Sequence, residues 1–183
     1  IRHAVNPEGR GYMIMPAEMF INWSEEDLGA TIAYLQSLPP NDNTTPDRSL
    51  GALGRILFAA GVMGDIVPAA YIDHNQPFTA MPPNAETAEY GQNVTRIINC
   101  AMSHREEMRG GPPPENYQEM GDVHSALNGA NWSTEEFITT VTTGVKPDGG
   151  QLNNEYMPWE SIAKVNKEEL TALHFYLQEL AGK

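Results

Sequence analysis

Apolar residues along this chain recur at helical spacing, and the alternate-residue pattern of a half-buried strand is almost absent. Ser24 is a plausible N-cap, and the acidic residues 25 to 27 suit the positive end of a helix. Leu28, Ile32, Leu35 and Leu38 then fall on one stripe before Pro39-Pro40 stops it. Near the C-terminus Asn166 takes the cap position, followed by Leu170, Leu173, Tyr176, Leu177 and Leu180. Between them "AETAEYGQNVTRIINC" predicts a helix with Tyr90, Val94, Ile97 and Ile98 near one face. "STEEFITTVTTG" predicts a short helix capped by Ser133 and stopped by Gly144. A short apolar helix is predicted near residues 50 to 62, packed between two modules. It falls short of the roughly 18 apolar residues a membrane span needs. The pattern as a whole predicts an all-α fold.

Two of these stretches are copies. Laid without a gap, "MPAEMFINWSEEDLGATIAYLQSL" from Met15 matches "MPWESIAKVNKEELTALHFYLQEL" from Met157 at Met-Pro, at a glutamate and at five helix positions. Upstream, "VNPEG" at 5 to 9 pairs with "VKPDG" at 145 to 149, with two extra residues before the second methionine. Apolar helix positions can coincide by chance; the Met-Pro pair and the turn together argue for a repeat. The second copy alone has a preceding helix and the only cysteine. The expected organisation is therefore residues 1–40 as the C-terminal half of a first module, 41–85 as a linker, and 86–183 as a complete module. The missing half of the first module is expected upstream.

Composition changes the picture in two ways. A formal charge of −13 lacks the basic footprint that nucleic acid needs and suits a partner with a basic surface. One cysteine excludes an internal disulfide and a thiolate zinc cluster within the chain.

The chemistry lies in "CAMSH". Cys100 precedes His104 by four residues; with a cysteine at 103 this would be C-x-x-C-H, the attachment signal of a c-type haem. Alone, Cys100 reads as a buried helix-end thiol, and it is the repeat and the methionine loop that point to haem. Met157 alone reads as core filling, and its pairing with Met15 before matching helices is what suggests a ligand. His124 and Met120 stand in an irregular stretch matching no repeated element and read as loop residues. His174 reads as structural, Trp159 as a shield or core plug, and Trp23 and Trp132 as staples at helix starts.

With "AEYGQNV", "CAMSH", "WSTEEFI", "GVKPDG", "YMPW" and "EELTALHFYLQEL" in view, the chain resembles the tandem class I cytochrome c modules that serve as electron-transfer subunits of bacterial dehydrogenases and respiratory or photosynthetic complexes. The resemblance implies a cytochrome c-like module, partly duplicated, and an electron-transfer protein rather than an enzyme of its own. It implies haem c attached through Cys100, with His104 and Met157 as axial iron ligands. Met15 would ligate the iron of a second haem, shared with the truncated first module. Gly91 would let Tyr176 pack close where the first helix crosses the last. The resemblance also implies redox partners, a setting in a membrane-bound complex although no transmembrane helix is evident, and a periplasmic location, where haem c is attached.

Ser103 departs from the family pattern, because a hydroxyl forms no thioether. Three explanations stand open: attachment through Cys100 alone, a module that has lost haem, or a sequence assignment error. The alternative function is a haemless cytochrome-fold scaffold mediating protein contacts.

Overall fold

A computed structural model describes residues 1–13, 15–44, 49–64, 66–105, 107–111, 121–125, 127 and 131–182. Among these the fold is all-α, and β pairing is confined to two isolated bridges. The chain divides into two compact units, Ile1–Met81 and Pro82–Lys183.

Unit 1 opens with a turn closed by the Val5–Gly11 bridge, with the Asn6 N–H donating to Arg10 O at 2.9 Å and Gly9 at φ +80°. Then come α1 (Ala17–Phe20), α2 (Glu25–Ser37), α3 (Ala52–Ala59) and a 3-10 turn at Pro68–Ala70. The Ser24 hydroxyl accepts from the Asp27 N–H, as the cap prediction requires, and Leu38 turns extended before Pro39. Residues 66–81 also belong to this unit. The Arg2 guanidinium donates to the Gln76, Pro77 and Ile21 carbonyls at 2.5, 3.0 and 3.3 Å and lies over the Phe78 ring. Along α2 only Leu28 is buried. None of the residues of the apolar helix α3 is buried.

Unit 2 contains α4 (Ala88–Ile97), α5 (Cys100–His104), α6 (Thr134–Thr143), α7 (Trp159–Ile162) and α8 (Lys167–Leu180). Its core joins Tyr90 and Val94 of α4, Phe137 and Val141 of α6, and Leu170, Leu173 and Leu177 of α8. Gly91 sets how closely α4 meets α8: a Cβ there would stand 1.9 Å from the Ala172 carbonyl oxygen. The close approach is thus helix backbone on helix backbone, and the element nearest Gly91 is the Ala172–Leu173 peptide rather than the Tyr176 ring. Both α6 and α8 start with a capping box, Ser133 with Glu136 and Asn166 with Glu169.

The matching stretches of sequence adopt matching local backbone. Val145 bridges Gln151 as Val5 bridges Gly11, and Gly149 has φ +82° where Gly9 has +80°. Pro158 (φ −77°, ψ 64°) leads into α7 as Pro16 (φ −75°, ψ 62°) leads into α1. In each, the residue after the proline donates its N–H to the methionine carbonyl at 2.7 Å.

Candidate functional site

A cavity of about 880 Å³ lies within unit 2, in the roughly 300–1,000 Å³ range of cofactor and ligand sites. All three positions of interest in "CAMSH" line it, namely Cys100, Ser103 and His104, and Met157 lines it as well. The rest of the wall is largely apolar, with Ile98, Leu127, Phe137, Val141, Leu152, Leu173 and Leu177.

The local backbone explains how α5 reaches this cavity. The sequence reads as one helix running to Cys100; in the structure α4 ends at Ile97, and Asn99 takes a left-handed conformation at φ +56°. Asparagine tolerates that region better than most residues. The chain re-enters a helix at Cys100 and leaves it through Arg105, again at positive φ (+64°). A single helical turn is thus set off between two residues at positive φ. Cys100, Ser103 and His104 stand at i, i+3 and i+4 and share its face. Non-glycine residues at positive φ cost about 1–2 kcal/mol each and are characteristic of functional segments.

His104 lies 2.8 Å through Nδ1 from the Gly121 carbonyl oxygen. A carbonyl only accepts, so Nδ1 carries the hydrogen and the neutral ring keeps its lone pair on Nε2. This is the arrangement that orients a ligating imidazole. Its own carbonyl accepts the Gly110 N–H at 3.0 Å, which fixes the backbone beneath the ring. Met157 is half-buried, and its N–H donates to Asn153 O at 2.9 Å while its carbonyl accepts the Trp159 N–H. Its thioether is a soft donor that favours iron or copper over hard cations.

Cys100 is a free thiol, and burial pushes its pKa up from 9.0 to about 12. It is therefore protonated at neutral pH, which suppresses thiolate chemistry such as alkylation and disulfide exchange. Among the described residues no three His, Cys, Asp or Glu side chains cluster as a metal site. The nitrogen and sulfur side chains lining the cavity are the His104 imidazole, the Cys100 thiol and the thioethers of Met108 and Met157.

The Met15 carbonyl accepts the Ala17 N–H as that of Met157 accepts the Trp159 N–H, but Met15 belongs to unit 1 and lines no part of this cavity. His124 is buried, with its Nε2–H donating to Glu107 O at 2.6 Å, and it does not line the cavity either. Met120 lies outside the described residues. His174 packs in the core 5.0 Å from the Phe137 ring, with Nδ1 3.0 Å from Thr134 Oγ1. Trp159 stands over Gly144, its Nε1 2.6 Å from where a Cβ would lie.

Three cavity residues escape sequence reading. Trp132, which reads as a helix staple, lines the cavity beside α6, and Tyr156 precedes the ligand candidate Met157. Met108, only 3% exposed and at φ +55°, forms a further part of the wall. A run of cavity-facing residues immediately flanking Met157 and Ser133 was the only available signal. No protein-family model, characterised protein or solved structure compared with the chain matches it.

Proposed function

We propose that unit 2 is a class I cytochrome c-like module that relays single electrons through a haem c held by Cys100, His104 and Met157. The observation carrying this reading is that His104 and Met157, distant in sequence, line one cavity together with Cys100. The tautomer of His104 leaves Nε2 available as a ligand. The residues present fit the group in size, apolar lining and donor set.

Haem iron supplies a one-electron couple, and a thioether axial ligand raises its potential. His104 contributes Nε2 and is kept in orientation by the Gly121 carbonyl. Met157 contributes its sulfur from a loop pinned at Asn153. Cys100 would be the residue that tethers the haem, through one thioether at its sulfur. Ser103 offers no second thioether, so attachment is through a single bond. The apolar wall excludes water and favours the less charged reduced state. With His104 and Met157 both given to the haem, the module would carry electrons and do no chemistry of its own.

On the same reading, residues 1–40 are the C-terminal half of a second module, with Met15 as the ligand of its haem. The matching turns, Met-Pro geometry and helix caps support this duplication. The charge of −13 suits a redox partner with a basic face, and a periplasmic location in a membrane-associated complex accompanies haem c attachment. No helix among the described residues is long and apolar enough to cross a membrane.

Ser103 is the observation that favours a second reading, a haemless scaffold. Expression with haem-attachment machinery separates the two. The proposal expects a His/Met low-spin spectrum that Met157→Ala converts to high spin while haem stays bound. Ser103→Cys should raise haem content. Colourless protein in both wild type and Ser103→Cys contradicts the relay and leaves the scaffold.

A further inference from the structure

Far from the cysteine in sequence, unit 1 holds a pair of histidines that the electron-transfer reading does not use. His3 and His74 face each other with their Nδ1 atoms 3.1 Å apart and their ring centroids 5.2 Å apart. His74 Nε2 lies 2.9 Å from the Ala69 carbonyl oxygen. That carbonyl can only accept, so His74 carries its hydrogen on Nε2 and presents a lone pair at Nδ1. The short contact then requires His3 to place its hydrogen on Nδ1. Two imidazolium rings cannot share this geometry, because two N–H groups would point at each other. Burial, then Arg2 and then His74 lower the pKa of His3 from its ordinary 6.5, which disfavours a charge on that ring.

We propose that His3 and His74 together chelate one divalent first-row transition metal ion through their Nδ1 atoms, with Cu²⁺ preferred over Ni²⁺ and Zn²⁺. Metal–imidazole bonds of about 2.0–2.1 Å at angles between square and tetrahedral place two nitrogens about 2.8–3.4 Å apart. The observed 3.1 Å lies inside that span. Binding needs each ring to turn so that both Nδ1 lone pairs meet at the ion, and a shift of the His3 hydrogen from Nδ1 to Nε2. No proton leaves the pair, and the site gains the two charges of the ion.

The Ala69 carbonyl is the outer partner that ligating histidines regularly have, and it fixes the tautomer of His74 in advance. Arg2 is the nearest opposing charge, and its guanidinium is turned toward three carbonyls and the Phe78 ring. No third His, Cys, Asp or Glu joins the pair among the described residues, so water completes the coordination. The preference for Cu²⁺ follows from the general order of divalent affinities at nitrogen sites. The ion would also clip residues 1–4 to the loop around His74, which Arg2 already grips at Gln76 and Pro77.

The test titrates the full chain with Cu²⁺ alone by calorimetry, counts ligating nitrogens by electron paramagnetic resonance, and follows ¹⁵N-labelled histidines by NMR during addition of Zn²⁺. The proposal expects one Cu²⁺ per chain bound by two imidazole nitrogens, and Nδ1 resonances of His3 and His74 that shift together. His3→Gln and His74→Gln should each weaken binding at least about tenfold, the lower end of what losing even an outer partner costs. Unchanged affinity in the double variant overturns it. So does loss on His3→Gln with His74→Gln unaffected, because the metal then binds at His3 without its partner. Should either variant fail to fold by circular dichroism, the wild-type NMR decides: Zn²⁺ shifts at other histidines with none at this pair contradict the site.

Discussion

Helices α2 and α8 start from the same pattern and end in different circumstances. Leu28, Tyr34, Leu35 and Leu38 of the first match Leu170, Tyr176, Leu177 and Leu180 of the second. Each helix opens on a side-chain cap that accepts from the N–H three residues on. Yet α8 buries six residues and α2 only one. Leu177 is 5% exposed, whereas its counterpart Leu35 is 49% exposed. The difference is α4, which lies along α8 and approaches it at Gly91 with no side chain between. Helical form is settled locally by caps, stops and periodicity. Burial, and with it most of the stabilisation, depends on a partner helix that only the second copy has within this chain.

The largest way to break the comparison is to truncate the matched leucines. Leu177→Ala should destabilise unit 2 by about 2–5 kcal/mol, the usual cost of a core leucine. Leu35→Ala should stay within about 0.5 kcal/mol, as exposed substitutions do. Urea unfolding of both variants measures the contrast, and equal losses would mean that α2 is covered after all. Gly91→Ala comes next: it forces a methyl group into the Ala172 carbonyl and should cost about 1–3 kcal/mol or more as α4 and α8 separate. Gly29→Ala in α2, where nothing lies within 4 Å, should instead stabilise by about 0.5–1 kcal/mol.

A third probe uses pH. The Cys100 thiol has a folded pKa near 12 and an unfolded pKa of 9.0. Below pH 9 both states keep the proton and the difference costs nothing. Above it the unfolded chain ionises first, so stability falls with rising pH by up to about 1.4 kcal/mol per unit until roughly pH 12. Cys100→Ala should remove this alkaline slope, and so should a thioether at Cys100, because neither titrates. Denaturant midpoints between pH 8 and 11 provide the measurement. The smallest effect sharpens the local half of the comparison. Ser24→Ala and Asn166→Ala should each cost about 1 kcal/mol, despite the difference in burial between their helices. A cap loss confined to Asn166 would show that capping matters only where packing follows.

What could be read from the sequence follows the same division. The caps at Ser24, Ser133 and Asn166, the stop at Pro39 and the left-handed Gly144 are written in single residues and their neighbours, and the structure has them all. The break at Asn99 was not legible, because a left-handed asparagine inside an apolar helical run looks like any other helix position. The one-turn helices α1 and α7 are too short to carry a period. The role of residues 66–81 in unit 1 depends on Arg2 reaching carbonyls more than seventy positions away, which no local pattern encodes. At the candidate site, Cys100, His104 and Met157 came from motif and repeat. Trp132 and Met108 became visible only once the chain had been folded around a cavity.

The most direct test is the mass of the denatured full chain after expression with haem-attachment machinery, taken with the absorbance of the same preparation when reduced. The account predicts a chain heavier by one covalently bound haem, with a low-spin spectrum that is lost in His104→Ala. A denatured chain of unmodified mass, from a native preparation without haem absorbance, would contradict it.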